Sequence, residues 1–189
     1  GLYGYPATLC TSVDNQVVHG IPNNIPLQEG QILGIDVGSI YEGFYGDHAK
    51  TFCVGSVSEE KKRLLEVTEE CLYMGIKEAK CGNTIGDIGY AVQTNAEKNG
   101  YSVVRDLVGH GIGQKLHEDP QVPNFGLKGR GPLIKPGLCL AIEPMINYGS
   151  FEVYTKEDKW TICTKDGKPS AHFEHSIAIT EKEVRILTK

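Results

Sequence analysis

Four segments that read as strands each carry one acidic residue where a buried strand is normally apolar. They are Asp36 in ILGIDVG, Asp47 in GDHAKTFCV, Glu143 in LCLAIEPM and Glu174 in AHFEHSIAI. Acidic side chains are rarely buried unless they are paired or bind a cation. Any one of them could instead face solvent, but the four together favour a shared polar site.

The segment LVGHGIGQKLHEDP, residues 107–120, adds two histidines that could do chemistry. His110 stands between two glycines, a pattern that usually indicates a backbone shape no other residue allows. The second histidine, His117, precedes Glu118 and Asp119. Considered alone, these histidines could be metal ligands, proton-transfer groups or polar residues on a turn.

Period-two alternation gives each acid small neighbours on its own strand face and bulky apolar residues on the other. The small residues are Gly34 and Gly38 beside Asp36, Ala49 and Thr51 beside Asp47, Cys139 and Ala141 beside Glu143, and Ser176 and Ala178 beside Glu174. A concave site needs such a floor. A hairpin turning near residues 41–43 would also bring Asp36 and Asp47 together.

Carboxylates held close together repel one another unless they take up protons or meet cations. With the imidazole of His110, the set contains four carboxylates and one nitrogen. Two divalent ions would balance the carboxylate charge and leave room for one hydroxide. Metals paired about 3.5–4 Å apart activate water and polarise a carbonyl. An oxygen-rich shell favours Mn, Fe or Co over a structural zinc site.

Two helices and an otherwise strand- and turn-rich chain must position these residues. The spacing of apolar residues predicts an amphipathic helix within residues 56–82, closed by Gly82. A second helix follows, with Thr84 as N-cap and Gly100 as terminator. Residues 118–137 are rich in proline and glycine, which predicts an irregular surface loop. We see no linker and expect a single domain over residues 1–189.

The composition is that of an ordinary globular protein, with 23% charged residues, 40% hydrophobic residues and a net charge of −5 over 189 residues. No basic patch appears and no apolar run approaches the roughly 20 residues of a membrane helix, so we expect neither nucleic acid nor membrane as partner. The six cysteines show no C-x-x-C spacing. That usage is typical of free thiols in the cytoplasm.

Five motifs, GYP…HGIP, IDVG…GDHAKTF, GHGIGQKLHEDPQVPNFG, LAIEPM and AHFEHS, resemble those of bacterial-type methionine aminopeptidases of the first kind, over essentially the whole chain. The resemblance implies the α/β (α+β) pita-bread fold, two pseudo-symmetric halves of antiparallel strands backed by helices. It also implies removal of the N-terminal methionine from nascent proteins and peptides, with a metal-bound hydroxide attacking the scissile carbonyl.

The resemblance further implies roles for individual residues. Asp36, Asp47, His110, Glu143 and Glu174 would hold two divalent metal ions (Co, Mn, Fe or Zn), with Asp47 and Glu174 bridging them. His19, His117 and Glu143 would be catalytic; the two histidines would contact the substrate from opposite sides, and Glu143 would shuttle a proton. The substrate pocket would be lined by Tyr5, Cys10, His19, Leu116, His117 and Trp160.

Three departures from the family pattern carry expectations of their own. Leu116 replaces a usual phenylalanine and Leu2 a common aromatic residue, which would loosen the grip on the methionine side chain. The chain also begins after the family's N-terminal helices and first strand, so Leu33, Ile35 and Phe52 are expected to be exposed.

His48, His172 and His175 lie beside ligand positions and are expected to point away from the metals.

The resemblance implies that the substrates are the N-terminal peptides of nascent proteins. The protein is expected to act on them as a monomer in the cytoplasm, in association with the ribosome. Two other functions stay open. One is a proline-related aminopeptidase or dipeptidase of the same fold, which uses the same five ligands. The other is a truncated, inactive peptide-binding module.

Overall fold

A computed structural model describes residues 2–189; Gly1, the first residue of the expected domain, lies outside the described residues. The described chain begins with a short 3-10 turn, Leu2–Gly4. Its helices are α1 (Glu59–Glu78) and α2 (Ile85–Lys98). Its strands are β1 (Cys10–Val13), β2 (Gln16–Val18), β3 (Ile32–Tyr41), β4 (Phe44–Cys53), β5 (Ser102–Val103), β6 (Gly109–Gly111), β7 (Glu118–Val122), β8 (Cys139–Ile142), β9 (Met145–Asn147), β10 (Val153–Thr155), β11 (Ile162–Thr164), β12 (Ser170–His172), β13 (Glu174–Ile179) and β14 (Val184–Ile186).

The main sheet joins strands from both halves of the chain. Its order is β1-β3-β4-β13-β8-β6-β7, with β14 beside β13, and the neighbours run antiparallel. Two smaller sheets have the orders β10-β11-β2 and β12-β9-β5. The halves meet where β4 pairs with β13, and this antiparallel arrangement with helices agrees with the predicted class.

Both predicted helices are confirmed, because the signals that bound them are local. Ser58 caps α1 by accepting a hydrogen bond from Lys61 N at 3.3 Å. Thr84 and Asp87 form a capping box at the start of α2, in which Thr84 N donates to Asp87 Oδ2 at 2.8 Å. Gly100 directly follows Asn99, the C-cap of α2, with φ of +82°, the left-handed conformation that ends a helix. The predicted terminator Gly82 is wrong for α1, because that helix already ends at its C-cap Ala79, three residues earlier.

The two helices cover one face of the main sheet. Leu64, Val67 and Leu72 of α1 are buried with Ile88 and Val92 of α2. The sheet contributes alternate residues to this core: Leu140, Ile142 and Ile177. Because successive residues of a strand face opposite ways, the residues between these core positions project toward the other face of the sheet.

The hairpin β3–β4 turns through Glu42 and Gly43, whose φ values of +49° and +84° fit a two-residue turn. The turn therefore lies where the sequence predicts it. Of the apolar residues expected to be exposed, Phe52 is 45% exposed, whereas Leu33 and Ile35 are half-buried.

The predicted irregular loop at residues 118–137 is wrong in its first part. Residues Glu118–Val122 form β7, which pairs with β6 at the edge of the main sheet. Pro120 lies inside this strand, and proline is tolerated on an edge strand because its missing N–H can face away from the ladder.

The six cysteines are free, as expected. Within residues 2–189, no helix combines the length and apolar character needed to cross a membrane.

Candidate metal centre

The five predicted ligands lie on five neighbouring strands or directly after one of them. Following the order β3-β4-β13-β8-β6 across the sheet, they are Asp36, Asp47, Glu174, Glu143 (one residue beyond β8) and His110. Asp47 pairs with Gly38, and Asp36 pairs with Ala49, so the two aspartates lie diagonally across the hairpin on one face. The structure thus brings together residues that are 138 positions apart at the extremes (174 minus 36).

His110 faces the carboxylates through one defined nitrogen. Its Nδ1 lies 2.9 Å from the carbonyl oxygen of Gly111. A carbonyl can only accept, so Nδ1 carries the proton and Nε2 presents its lone pair. His110 Nε2 lies 3.5 Å from Glu143 Oε1 and 3.9 Å from Asp47 Oδ2. This is the tautomer that a metal-binding imidazole needs.

Two groups of potential ligand atoms form in the described part of the chain. The atoms of Asp47, His110 and Glu174 lie within 4.8 Å of one another, and so do those of Glu143, His172 and Glu174. Glu174 belongs to both groups. Asp36 belongs to neither group, but it shares the strand face of Asp47, and the nearby Asp47 adds to the rise in its pKa.

The prediction that His172 points away from the acidic residues is wrong. Its Nε2 lies 3.4 Å from Glu143 Oε2, and the residue is 4% exposed. His172 precedes Glu174 by two positions, and residues two apart in an extended chain share a face. His48 and His175 are each one position from an acid and do point away; their rings stack at 4.9 Å.

Burial raises the pKa values of three of the four acids. Burial raises the pKa of Glu143 to about 8, with Asp47 adding to the rise. It raises the pKa of Asp36 to about 7, and Asp47 and Glu143 add to that rise. The pKa of Glu174 is also raised, first by burial and then by the neighbouring acids. A cation at this place would remove the cost of ionising these groups.

The donor atoms fit divalent cations. Glu174 Oε1 and His172 Nε2 are buried and find no hydrogen-bond partner among residues 2–189. Buried polar atoms without partners are uncommon in folded proteins and call for an explanation such as an ion. Carboxylate oxygens with imidazole nitrogen form a donor set that suits Mn, Fe, Co or Zn.

A cavity of about 610 Å³ opens onto Asp36 and Asp47. All the residues predicted to bind substrate line it: Tyr5, Cys10, His19, Leu116, His117 and Trp160. Tyr5 and Trp160 meet edge to face, with ring centres 5.3 Å apart. Tyr5 is fixed because its hydroxyl donates to Gly20 O at 2.7 Å. One wall is therefore a rigid aromatic corner.

Two further imidazoles reach this cavity. The ring of His117 lies 4.4 Å from that of His110 and stacks on Tyr3 at 5.7 Å. Burial lowers the pKa of His117, and the neighbouring His110 lowers it further. Burial lowers the pKa of His19 to about 4, helped by His172 and His117. Both rings are therefore neutral near pH 7, each with one N–H to donate and one nitrogen to accept.

Comparison with known proteins identifies the family. Residues 1–181 match the protein family described as "Metallopeptidase family M24". A methionine aminopeptidase from Clostridium perfringens is 53% identical over 188 residues, which cover 100% of this chain and 76% of that protein. The chain belongs to metallopeptidase family M24 and, within it, to the methionine aminopeptidases.

Solved structures of the M24 family agree with this membership. The crystal structure of a methionine aminopeptidase from Rickettsia prowazekii superposes with a TM-score of 0.98 at 44% identity, covering 100% of this chain and 76% of that one. A prolidase from Pyrococcus horikoshii is only 22% identical with a TM-score of 0.77, covering 97% of this chain and 48% of that one, so it shows the fold alone. The predicted pita-bread fold is confirmed.

Sequence reasoning missed several residues that line the M24 cavity. Ile40 and Tyr45 lie on the site face of the β3–β4 hairpin. Tyr45 precedes Asp47 by two positions, and Ile40 follows Gly38 by two, so the alternation that located the acids also indicates these residues. Tyr3, which stacks on His117, lies in the N-terminal turn, where no periodic pattern applies.

Proposed function

We propose that this chain is a metal-dependent aminopeptidase that removes the N-terminal methionine from peptides and nascent proteins. The observation that carries the proposal is that a group of potential metal ligands lies next to an apolar cavity. A pair of ligand groups sharing Glu174 lies beside a cavity lined mainly by apolar and aromatic side chains. The first feature suits a pair of cations, and the second suits one apolar side chain. The 189 residues would act as a single catalytic domain.

Asp36, Asp47, His110, Glu143 and Glu174 would hold two divalent cations, with Asp47 and Glu174 shared between them. Bound cations would supply Lewis-acid activation of the attacking water and of the scissile carbonyl. The carboxylate-rich donor set favours Mn, Fe or Co, and Zn is also compatible with it.

Glu143 would carry the proton during hydrolysis. Bound cations would keep Glu143 ionised despite its burial, and a carboxylate beside the attacking water can accept a proton and release it again. It would take a proton from the water that attacks the carbonyl carbon. It would then deliver this proton to the leaving amine as the carbon–nitrogen bond breaks.

His117 and His19 would hold the substrate peptide from two sides of the cavity. Both imidazoles have lowered pKa values and are neutral at pH 7. A neutral ring can donate its N–H to the carbonyl oxygen as negative charge develops there, which stabilises the transition state. His117 lies beside the His110 ring, and this proximity favours it for that role.

The pocket for the first side chain would be formed by Tyr5, Cys10, Leu116 and Trp160. These residues offer a fixed aromatic corner and an adaptable aliphatic wall. An unbranched thioether packs well against such surfaces because sulfur is polarisable and contacts aromatic rings favourably.

The test is a cleavage assay on the metal-loaded protein with three peptides, beginning Met-Ala, Met-Pro and Ala-Pro. Release of methionine from Met-Ala, with Ala-Pro untouched, supports the proposal. Release of alanine from Ala-Pro supports the proline-specific alternative of the same fold. A folded protein that binds metal yet cleaves no peptide supports the peptide-binding module.

The proposed setting is the cytoplasm, where the chain would act as a monomer on nascent chains at the ribosome. Six free cysteines are consistent with a reducing compartment. The net charge of −5 favours peptide rather than nucleic-acid or membrane partners.

A further inference from the structure

We propose that His172 is a second imidazole ligand of the metal centre, so that each of the two cations is bound by one histidine. This inference rests on the proposed dinuclear centre and adds a ligand to it. It makes the centre one of four carboxylates and two nitrogens, in place of the single nitrogen expected from the sequence.

The first support is how firmly His172 is held. His172 N donates to Thr51 Oγ1 at 3.0 Å, and Thr51 Oγ1 donates to His172 O at 2.9 Å. On the other side, β12 pairs with β9 so that His172 lies opposite Met145. The backbone at His172 is therefore fixed between β4 and β9, and its 4% exposed side chain is directed toward the acids.

The second support is an unsatisfied nitrogen. His172 Nε2 is buried and finds no hydrogen-bond partner within residues 2–189. Glu143 Oε2 lies 3.4 Å away without forming a hydrogen bond, so this nitrogen loses its hydration without a hydrogen bond to replace it. A cation would satisfy the lone pair. Glu174 Oε1 is in the same condition on the same face of the sheet.

The third support is a matched arrangement around Glu143. Its Oε1 lies 3.5 Å from His110 Nε2, and its Oε2 lies 3.4 Å from His172 Nε2. One carboxylate thus stands between two imidazoles. The ligand atoms of each imidazole's group fall within 4.8 Å of one another. Ligands on one cation lie at most roughly 4.4 Å apart with bonds of about 2.2 Å, so either group closes on an ion through small side-chain shifts.

A second nitrogen ligand has a chemical consequence for metal choice. Imidazole suits Zn and Fe, whereas oxygen donors suit Mn, and the affinity of a given site rises from Mn through Fe to Co. His172 should therefore shift the preference of one site away from Mn and toward Co, Fe or Zn.

The test counts the imidazoles on the metal. The wild-type protein, loaded with Co(II), is examined by proton NMR for paramagnetically shifted, solvent-exchangeable imidazole N–H signals. Two signals are expected in the wild type, and one each in His172→Gln and His110→Gln. Isothermal titration should show Co(II) binding to one site weakened at least tenfold in His172→Gln, with Mn(II) binding weakened less.

His175→Gln is the matched control, because His175 is buried in the same region but stacks on His48 away from the acids. It should keep both signals and both affinities. A single signal in the wild type, or unchanged signals and affinities in His172→Gln, would overturn the inference. The wild-type count stands even if a variant fails to fold.

The outcome also separates this inference from the proposed function. A wild-type protein that binds two Co(II) ions and releases methionine but shows one imidazole signal refutes only the role of His172. A protein that binds no Co(II) refutes the metal centre itself.

Discussion

The hydroxyl of Ser176 both accepts a hydrogen bond from the main chain of Asp47 and donates one to it. Asp47 N donates to Ser176 Oγ at 2.9 Å, and Ser176 Oγ donates to Asp47 O at 2.8 Å. Thr51 makes the same double contact with the main chain of His172. Direct pairing of β4 with β13 is limited to Glu174 opposite Ala49 and His175 opposite His48. The two hydroxyls therefore extend the junction where the acids of the two halves meet.

Removing either hydroxyl should destabilise the protein. Ser176→Ala and Thr51→Val each leave a buried main-chain N–H without a partner, and we expect a loss of about 1–3 kcal/mol in the free energy of unfolding. Urea denaturation measures it. Thr155→Val, at an exposed position of β10, is the control and should change stability by less than about 0.5 kcal/mol. If all three variants lost the same free energy of unfolding, the two hydroxyls would not specifically stabilise the junction of β4 with β13.

The sequence predicts the parts of this architecture that depend on local signals. Thr84 and Asp87 are three residues apart, and Glu42-Gly43 is a two-residue turn, so α2 and the β3–β4 hairpin are readable from short segments. The alternation also placed Asp36 and Asp47 on a common face. Each of these features is decided by neighbours along the chain.

Features that depend on distant partners were not predictable in this way. Ser176 and Asp47 are 129 positions apart, and the contact between them leaves no trace in local periodicity. Strand patterns indicate the four acids, with His110 added as a candidate, but the role of each residue as a ligand is implied only by the resemblance to a family. The prediction for His172 is wrong, although period-two alternation puts this residue on the face of Glu174. The loop prediction is wrong at β7, because proline-rich sequence usually forms loops.

The glycines around His110 are needed for close backbone approach. A Cβ on Gly111 would lie 2.2 Å from Asp119 O, and one on Gly109 would lie 2.4 Å from Ala141 O, while neither glycine adopts a left-handed φ. Gly111→Ala should therefore force β6 away from β7, costing about 1–3 kcal/mol and displacing His110. Thermal denaturation and metal analysis test this. Gly46→Ala, whose new Cβ would meet only Ser39 Oγ at 3.6 Å, should behave as wild type.

His117 and His110 should separate catalysis from metal binding. Loss of the His117 imidazole removes a proton donor at the cavity, so His117→Ala should lower kcat roughly 10²–10⁴-fold. Its metal content should stay at the wild-type level. His110→Ala should lose metal as well as activity. Turnover assays paired with elemental analysis distinguish the two, and unchanged turnover in His117→Ala would refute its role.

Leu116 should set the fit of the first side chain. It lines the cavity on the side of Gly38, where its Cδ1 would lie 3.4 Å from a Cβ at that position. Leu116→Ala widens the pocket and should reduce kcat/KM for a methionine peptide by about 10–200-fold. The ratio of kcat/KM for methionine over leucine peptides reports the change. If that ratio and both values stay constant, Leu116 does not contact the side chain.

The buried acids should make the metal-free protein less stable as pH rises. Burial raises the pKa of Glu143 from 4.5 to about 8, so between these values the folded state binds more protons than the unfolded chain. The free energy of unfolding must then fall with increasing pH. Burial of His19 and His175 lowers the pKa of each from 6.5 to about 4, which opposes this trend only below pH 6.5.

The interval from pH 6.5 to 8 therefore isolates the acids. In EDTA, the Tm of the wild type should drop across this interval, and Glu143→Gln, which cannot ionise, should drop less. A divalent cation should raise the Tm more at pH 8 than at pH 6.5, because protons no longer compete for the carboxylates. A Tm that rises with pH in EDTA, or the same slope in Glu143→Gln, would show that Glu143 is not held in an uncompensated buried environment.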